Sequence, residues 1–397
     1  MRIGRTVPPA AAPLGWWDLW HGVWSAFFPG QAIRAREAEL RATFGVSDVF
    51  LLSSGSAALT LTLLALKSLS NRSDVIIPAY TCFSVPAAVL KAGLRPRLCD
   101  VQPSTFDFDH GLLADSIDSN TLCVIAHHLF GVASDIPGIR KLCEGRDTFV
   151  VEDAAQAMGI EYQGSKLGTL GDVGIFSLGR GKSITCGSGG IIVTRSRKIA
   201  DRIENLYRQQ TPTPSTLEVI GDLARAALLT TFVRPQLYWI PASLPFLRLG
   251  ETVFPTDIPI KKMSAAKAGL LRRWRARLQQ ANRVRLHAAA DLCRRMAVTP
   301  PSGDAHVYLR LPFLTTAAAE KRRLFSASMK RGLGVSVAYP QALSELPQLR
   351  PLMNGHEYPN ACRLASELVT LPIHQWVTDR DKQAIAELCA NVGGSRA

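Results

Sequence analysis

The 397-residue sequence lacks the long apolar runs and paired cysteines that mark several classes of protein. No stretch reaches the roughly 18 consecutive apolar residues that a membrane-spanning helix requires. The first residues, Met1–Pro9, lack the apolar core of a secretory signal peptide. The eight cysteines are scattered without a C-x-x-C pair, so neither a disulfide framework nor a zinc site is predicted. These absences favour a protein of the reducing cytoplasm.

Acidic residues are also in short supply. The chain has 46 basic and 32 acidic residues, which gives a net charge of +14. A basic surface attracts anions, so a phosphate-rich small substrate fits the composition. No nucleic-acid-binding module accompanies the charge, and we expect no nucleic-acid partner. The basic residues are densest at 261–295, where we interpret them as the solvated face of a helix.

Strand-like and helix-like segments alternate from residue 48 to residue 195. This alternation predicts crossover units around a mainly parallel sheet, which is an α/β fold. A ligand is then expected at the carboxyl ends of the strands. Asp153 directly follows the strand predicted at 148–152, and Ser53–Ser56 lies between a strand and its helix. Both segments are therefore predicted to lie at the ligand-binding edge of the sheet.

The remainder of the chain differs in composition from this alternating part. We predict an N-terminal arm and helix at 1–45, a large α/β domain at 46–207, and an insertion at 208–260. The insertion is apolar and rich in proline and aromatic residues, and we expect it to pack on the surface or at a subunit interface. Residues 261–397 are predicted to form a long helix, at 263–296, and a small α+β domain.

Aromatic residues are concentrated near the N-terminus. Four of them share one helical face: Trp16, Trp20, Trp24 and Phe27. We expect this face to dock on the protein's own core or on a dimer partner. The alternative is contact with a membrane surface through residues 14–28 or 217–250, which we regard as less favoured because the N-terminal stretch is short and carries few basic residues.

The run Phe176–Ser183 contains the most informative residue, Lys182. The Gly-Lys-Ser at its end is not a phosphate-binding loop of the nucleotide-hydrolysing type, because that motif needs glycine where Phe176 stands. A lysine that forms a Schiff base with pyridoxal phosphate (PLP), together with an aspartate that keeps the pyridine nitrogen protonated, is an alternative. Asp153, at the end of a predicted buried strand, is the candidate aspartate.

Further residues complete a PLP site. Gln156 is three residues after Asp153 and could reach the 3′ oxygen of the ring. The phosphate needs backbone N–H groups at a helix start, which Gly55, Ser56 and Ala57 provide, and Ser177 could add a hydroxyl. Taken singly, Lys182 could be an ordinary exposed lysine and Ser56 a plain N-cap. The helix start, the aspartate and the lysine follow one another along the chain in the order that a PLP fold requires, and together they favour the PLP interpretation.

The chain resembles the DegT/DnrJ/EryC1/StrS family of PLP-dependent sugar aminotransferases. The resemblance covers most of the chain and rests on seven segments: Ser53–Leu59, Ile77–Thr81, His128–Gly131, Glu152–Ala157, Gly168–Asp172, Phe176–Lys182 and Leu371–His374. It implies the fold-type I (aspartate aminotransferase-like) architecture. That architecture has a three-layer αβα large domain with a mainly parallel sheet, and a smaller α+β C-terminal domain.

The resemblance also implies a role for each candidate residue. Lys182 would be the Schiff-base lysine, Asp153 the partner of the pyridine nitrogen, and Gln156 the residue beside the ring oxygen. The phosphate ligands would be Gly55, Ser56, Ala57 and Ser177. A related branch that dehydrates sugars has histidine in place of this lysine, so Lys182 argues for transamination.

The sequence departs from the family pattern where an aromatic residue usually stacks on the cofactor. Cys82 occupies that position, so Phe83 or Tyr80 would have to take over the stacking, or the thiol packs on the ring.

Three further departures affect the surroundings of the site. The usual Gly-Glu-Gly after the lysine is replaced by Gly187–Gly189. The segment whose asparagine reaches the partner subunit's phosphate is missing before Met263, where Lys261 or Lys262 could replace the contact. A common histidine near the C-terminal substrate loop is replaced within 338–340. These changes leave the lysine and the aspartate intact and bear mainly on the substrate.

The leading hypothesis is a cytoplasmic homodimeric aminotransferase that moves an amino group, from glutamate, to a nucleotide-linked keto-sugar. One alternative keeps PLP and replaces the sugar with a non-sugar ketone or a cyclitol. Another is a non-catalytic descendant of the fold, regulatory or membrane-associated, that uses the 208–260 insertion and the N-terminal tryptophans.

Overall fold

The computed structural model describes residues 2–12, 14–247, 249–250, 252–300, 306–352 and 355–391. The helices are α1 (Trp16–Ala26), α2 (Pro29–Phe44), α3 (Gly55–Lys67), α4 (Ser84–Lys91), α5 (His110–Ser116), α6 (Ile136–Cys143), α7 (Arg197–Gln209), α8 (Thr216–Phe232), α9 (Pro235–Ala242), α10 (Ala265–Leu270), α11 (Trp274–Met296), α12 (Ala318–Arg331), α13 (Pro359–Glu367) and α14 (Asp379–Ala390). The strands are β1 (Asp48–Leu52), β2 (Asp74–Pro78), β3 (Arg95–Cys99), β4 (Thr121–His127), β5 (Phe149–Asp153), β6 (Glu161–Tyr162), β7 (Ser165–Lys166), β8 (Val173–Ser177), β9 (Gly190–Thr194), β10 (Leu311–Leu314) and β11 (Leu368–Leu371).

A seven-stranded sheet forms the centre of the molecule, in the order β1-β9-β8-β5-β4-β2-β3. Strand β9 is antiparallel to both of its neighbours, whereas the strands from β8 to β3 are parallel to one another. The α/β fold class with a mainly parallel sheet, predicted from the alternation of segments, is confirmed.

Both faces of the sheet are buried under helices, because successive side chains of a strand point to opposite faces. In β2, Val75 and Ile77 join the core that contains α3 and α4, while Ile76 joins the core beneath α5 and α6. Strands β1, β8 and β9 pack in the same alternating way against α2, α10 and α11. The three layers of the αβα architecture follow from this alternation.

The C-terminal part contains the antiparallel pair β10–β11 with α12, α13 and α14. The long helix predicted at 263–296 is wrong in one respect: it is broken at residues 271–273 into α10 and α11. Leu270, Leu271 and Trp274, on both sides of the break, belong to the same core cluster.

The basic stretch at 261–295 is only partly solvated, contrary to expectation. Arg272, Arg273 and Arg275 are exposed, but Lys267 is buried against Asp222 at 3.0 Å. Burial of the lysine is possible because the opposite charge compensates for lost hydration.

The N-terminal helix α1 also differs from expectation. It packs against α10 through its small and polar residues, and its tryptophans face outward. The prediction that the aromatic face docks on the protein's own core is therefore wrong, and docking on a dimer partner stays a prediction. Among the described residues, no helix combines the length and apolarity needed to cross a bilayer.

One buried carboxylate connects three segments of the α/β core. Glu152, in β5, accepts hydrogen bonds from the backbone N–H groups of Gly168 (2.7 Å), Leu170 (2.5 Å) and Gly171 (2.5 Å) and from Nε2 of His128 (2.9 Å). Burial alone would raise the pKa of Glu152, but the bonds from His128 and from the backbone outweigh it and hold the pKa below its usual range. The loop before β8 is thus fixed against β5 by an ionised side chain.

We predict that Glu152→Gln lowers the free energy of unfolding by roughly 3 kcal/mol at neutral pH. The reason is that the NH₂ group of the glutamine would face buried N–H donors and leave them without an acceptor. The pKa of Glu152 is lower in the folded protein, so its stabilisation is complete above the unfolded value of about 4.3 and is lost as the pH falls through the folded pKa. Urea unfolding measured from pH 7 to pH 3 should therefore show that the free energy of unfolding falls less steeply with decreasing pH in the variant than in the unmodified protein.

The exposed Glu144 offers a matched control, since Glu144→Gln changes the same functional group without a buried partner. Its unfolding curve should coincide with that of the unmodified protein. Equal stability of the Glu152 and Glu144 variants would contradict the role assigned to Glu152.

Candidate active site

A cavity of about 230 Å³ lies where the carboxyl ends of the parallel strands meet. The residues that end β4, β5 and β8 contribute His127, Asp153 and Ser177 to its wall. Because β9 runs in the opposite direction, its amino end reaches the same edge and adds Ser188 and Gly189. The sheet topology therefore brings together side chains that are far apart in sequence.

The start of α3 forms one corner of the cavity. Ser54 is the N-cap, and its Oγ accepts a hydrogen bond from the N–H of Ala57 at 3.0 Å. The N–H groups of Gly55 and Ser56 precede this bond and have no partner within the helix. A Cβ at Gly55 would lie 2.9 Å from Cβ of Ser177, so glycine is needed for the close approach. This corner presents backbone donors and a hydroxyl to an anion.

Lys182 lies in a tight loop after β8 and lines the cavity. Gly181 has a φ of 72°, in the left-handed region that glycine adopts without strain. Arg285 of α11 anchors the loop by donating a hydrogen bond to the carbonyl of Ser183 at 3.0 Å. Burial lowers the pKa of Lys182, nearby Arg310 lowers it further, and Cys82 and Asp153 oppose the change. A lysine in this setting has a larger fraction of the neutral, nucleophilic amine.

Asp153 ends β5 directly opposite His127 in the β4–β5 register. The Oδ1 atom of Asp153 accepts a hydrogen bond from the N–H of Ala155 at 3.1 Å. His127 is fixed through its Nε2, which donates to the carbonyl of Phe106 at 2.8 Å, so Nδ1 accepts from the hydroxyl of Thr81 at 3.0 Å. Burial lowers the pKa of His127, which keeps the imidazole neutral beside the aspartate.

Gln156 connects the cavity to the C-terminal part of the chain. Its Oε1 accepts a hydrogen bond from the N–H of Phe130 at 3.1 Å, and its Nε2 donates to the hydroxyl of Tyr339 at 2.9 Å. Tyr339 follows Ala338, which has a φ of 54°. The loop at 338–340 therefore closes over the site through a tyrosine that itself lines the cavity.

Of the candidates for packing on the cofactor ring, Cys82 lies in the cavity wall. Tyr80 and Phe83 are buried behind it, where both rings lie close to Tyr339, at centroid distances of 5.6 and 6.4 Å. The wall at this point is formed by the Cys82 thiol and by the Tyr339 side chain. Both residues stand at positions where the sequence departs from the family pattern.

Arg310 is a second residue that the sequence did not single out. Its Nε atom is buried without a hydrogen-bond partner, and no carboxylate among the described residues pairs with the guanidinium. Burial lowers the pKa of Arg310, and Tyr339, Tyr80 and Cys82 act in the opposite direction. A buried cation beside the cavity, without a carboxylate from the described chain, provides a site for an anionic group.

The predicted site residues are largely brought together. Six of them line the same cavity: Gly55, Ser56, Asp153, Gln156, Ser177 and Lys182. Ala57 is buried one residue behind the wall, and its N–H is already engaged by Ser54. Thr81 and His127, which line the cavity, and Arg310, which lies near Tyr339, carried no sequence signal beyond their polar character.

These residues fit PLP by their chemistry. The unfilled N–H groups at the start of α3 suit a phosphate, the Lys182 amine suits an aldehyde, and the Asp153 carboxylate suits a protonated ring nitrogen. The glycine that approaches Ser177 leaves the space in which such a phosphate would lie.

Comparison with known proteins gives an independent result. The model of the DegT/DnrJ/EryC1/StrS aminotransferase family matches residues 21–221 and 260–389, so the unmatched segment falls within the predicted insertion. The chain is 30% identical over 216 residues to the L-glutamine:2-deoxy-scyllo-inosose aminotransferase of Streptoalloteichus tenebrarius, covering 51% of this chain and 50% of that protein. It is 31% identical over 180 residues to the GDP-perosamine synthase of Vibrio cholerae, covering 45% and 49%.

Solved structures agree with the fold. The Helicobacter pylori aminotransferase PseC, involved in the biosynthesis of pseudoaminic acid, superposes with a TM-score of 0.78 at 18% identity, over 98% of this chain and 99% of that one. The chain spans about half the length, or less, of the first curated relatives it matches. Because the family model covers well over half of the sequence, the chain belongs to the DegT/DnrJ/EryC1/StrS family of PLP-dependent aminotransferases.

Proposed function

We propose that this protein uses PLP and Lys182 to move an amino group from glutamate or glutamine to a nucleotide-linked keto-sugar. The observation that carries the proposal is that Lys182, Asp153 and the amino end of α3 line one cavity. The same observation counts against a non-catalytic descendant, because a scaffold would have no need to keep these groups together.

Lys182 would have two tasks, carried out at one atom. Its Nζ binds the aldehyde of PLP, and bound PLP supplies an electron sink for the amino group's carbon. The Lys182 amine would also hold and move a proton at its Nζ atom during the transfer. The lowered pKa of Lys182, due chiefly to burial, keeps a proton-accepting form available.

The other residues of the site would bind and orient. Asp153 would hold a proton on the ring nitrogen. Because His127 beside it is neutral, no second cation would compete for the negative charge of the Asp153 carboxylate. Gly55, Ser56 and Ser177 would hold the phosphate, and Ala57 would support the helix start from behind. Gln156 would position Tyr339 against the ring, since the two share a hydrogen bond.

The acceptor is proposed to carry a nucleotide diphosphate. Support comes from the net charge of +14 and from relatives such as the GDP-perosamine synthase of Vibrio cholerae. A cyclitol is the second candidate, because other relatives include an aminotransferase of 2-deoxy-scyllo-inosose. Incubating the pyridoxamine form with keto-sugar nucleotides and with keto-cyclitols, and following return of the yellow colour, distinguishes the two.

The amino donor is proposed to be bound by Arg310. The guanidinium is close enough to Lys182 to affect its pKa, and it has no carboxylate partner in the described chain. Glutamate and glutamine both carry an α-carboxylate that would supply the missing partner.

A cytoplasmic homodimer belongs to the same proposal. The lysines expected to reach a partner's phosphate are in different situations: Lys261 is paired with Glu218, while Nζ of Lys262 lies 5.0 Å from the centre of the Tyr207 ring. Lys262 is therefore the better candidate for that contact.

We predict that Lys182→Ala abolishes covalent attachment of PLP. Borohydride reduction of the unmodified protein should add a pyridoxyl group to the peptide containing Lys182, and mass spectrometry would locate it. The exposed Lys198 gives the control, because Lys198→Ala should label as the unmodified protein does. A protein that does not bind added PLP, or one in which the pyridoxyl group is attached to another lysine, would contradict the proposed function.

Cys82 should be protected by the cofactor. Cys82 and Cys362 are partly exposed, whereas the other six cysteines are buried. Alkylation with iodoacetamide should therefore modify these two in PLP-free protein, and PLP should slow the modification of Cys82 about tenfold by covering the cavity wall. Cys362 is the internal control, and equal protection of both thiols would show that PLP acts through overall stability instead.

Arg310→Met should raise the KM for the amino donor by roughly 10- to 100-fold, which is the range expected for loss of a charge-assisted contact. The KM for the acceptor and the affinity for PLP should change little. Arg322→Met, at an exposed position of α12, should leave all three values unchanged. Equal weakening of donor, acceptor and PLP would instead indicate a structural role.

A further inference from the structure

Helix α1 presents an aromatic surface to solvent. Its four tryptophans, Trp16, Trp17, Trp20 and Trp24, are between 54% and 69% exposed, and Phe27 and Phe28 at its end are also exposed. Four of the seven tryptophans of the chain therefore lie on this short helix, outside the core. Isolated exposed apolar residues are ordinary, but a contiguous aromatic patch marks an interaction surface.

The inward side of α1 is mostly small and polar, with one partly buried leucine, Leu19, packed against the core. Its buried residues are Asp18 and Gly22. Asp18 pairs with Arg277 at 3.5 Å, and a Cβ at Gly22 would lie 3.0 Å from Leu270 and 3.1 Å from Leu223. The polarity of the helix is thus opposite to that of an ordinary surface helix, which buries its apolar face.

Helix α8, which contacts α1, has the same reversed arrangement. Its buried residues are Asp222, Ala226 and Thr230. Asp222 pairs with Lys267 at 3.0 Å and accepts a hydrogen bond from Oγ of Ser264 at 2.8 Å. Its large exposed apolar residues are Leu217, Ile220 and Leu228.

The buried ion pairs determine which way both helices face. Rotating α8 to hide its apolar residues would separate buried Lys267 from Asp222, which is strongly unfavourable, and rotating α1 would separate Asp18 from Arg277. We name the outward side chains of the two helices the aromatic face: Trp16, Trp17, Trp20, Trp24, Phe27, Phe28, Leu217, Ile220 and Leu228. Its exposure is therefore specified by internal electrostatics.

The charges around the aromatic face are suited to an anionic partner. The acidic residues of α1 and α8 are Asp18, Glu218 and Asp222, and each pairs with a cation of this chain. Exposed arginines adjoin the two helices: Arg234 before α9, Arg272, whose Nη1 lies 3.4 Å from Nδ1 of His21, and Arg225 on α8, whose Nη1 also lies 3.7 Å from Oδ1 of Asp222. Two copies meeting through this face would bring like charges together, which disfavours a second copy as its occupant.

We propose that the aromatic face docks on the surface of a bilayer that contains anionic phospholipid. Tryptophan and phenylalanine side chains would enter the headgroup region, where aromatic rings are favoured, and the arginines would contact lipid phosphates. Helices α1 and α8 would lie on the membrane without crossing it. The aminotransferase would thereby be held at a membrane surface, and this inference does not depend on the identity of the sugar.

The test is co-sedimentation of the full-length, PLP-loaded protein with vesicles. Binding is expected to vesicles of phosphatidylcholine with phosphatidylglycerol, with a blue shift of tryptophan fluorescence, and to weaken with added salt. Trp17→Glu/Trp24→Glu should lower the bound fraction at least about tenfold, because the charges would have to enter the headgroup region. Leu112→Glu, an exposed leucine on α5 away from the aromatic face, should bind as the unmodified protein does.

Absorbance of bound PLP and sedimentation velocity complete the design. The double variant should keep its PLP and its oligomeric state, which separates failure of docking from failure of the fold. Absence of vesicle binding by the unmodified protein would overturn the proposal. So would dissociation of an oligomer in the double variant, since the aromatic face would then be an interface between copies.

Discussion

The active site depends on the ionised carboxylate of Glu152. It takes hydrogen bonds from the loop at 168–171 and from His128, and thereby ties the segment before β8 to β5 and to the end of β4. Because side chains alternate along a strand, Glu152 is buried on one side while its neighbour Asp153 reaches the cavity. Strand β8 then leads directly to Ser177 and Lys182. The positions of lysine and aspartate relative to each other therefore rest on one buried anion.

Buried cations have a comparable role on the outer layer of helices. Lys267 and Arg277 neutralise Asp222 and Asp18, and in doing so fix the orientation of α8 and α1. Arg285 pairs with no carboxylate of the described residues and instead donates hydrogen bonds to backbone carbonyls of the loop around Lys182. A chain with 46 basic residues thus uses several of them internally, as connectors between segments. The net charge therefore overstates the number of cations available to a ligand.

The departures from the family pattern meet in three dimensions. Cys82 and Tyr339 both lie in the cavity wall, and Arg310 is close enough to both to influence their charge environment. Lys182, Asp153 and the start of α3, the candidate cofactor-binding groups, line the same cavity. The family chemistry is therefore combined with a wall of different shape and charge. Substrate choice is the property that such a change affects first, since it leaves the cofactor-binding groups in place.

The sequence by itself determined the α/β class and the family and supplied the candidate residues of the cofactor site, because periodicity and short motifs are local features of the chain. Gly55, Ser56, Ser177 and Lys182 could be named from such motifs. Only the tertiary structure decided that Tyr339 lines the cavity with Arg310 close to it, that α10 and α11 are separate, and that α1 turns its tryptophans outward. The reason is physical: an amphipathic pattern states that a helix has two faces, whereas buried ion pairs between distant segments decide which face is inside.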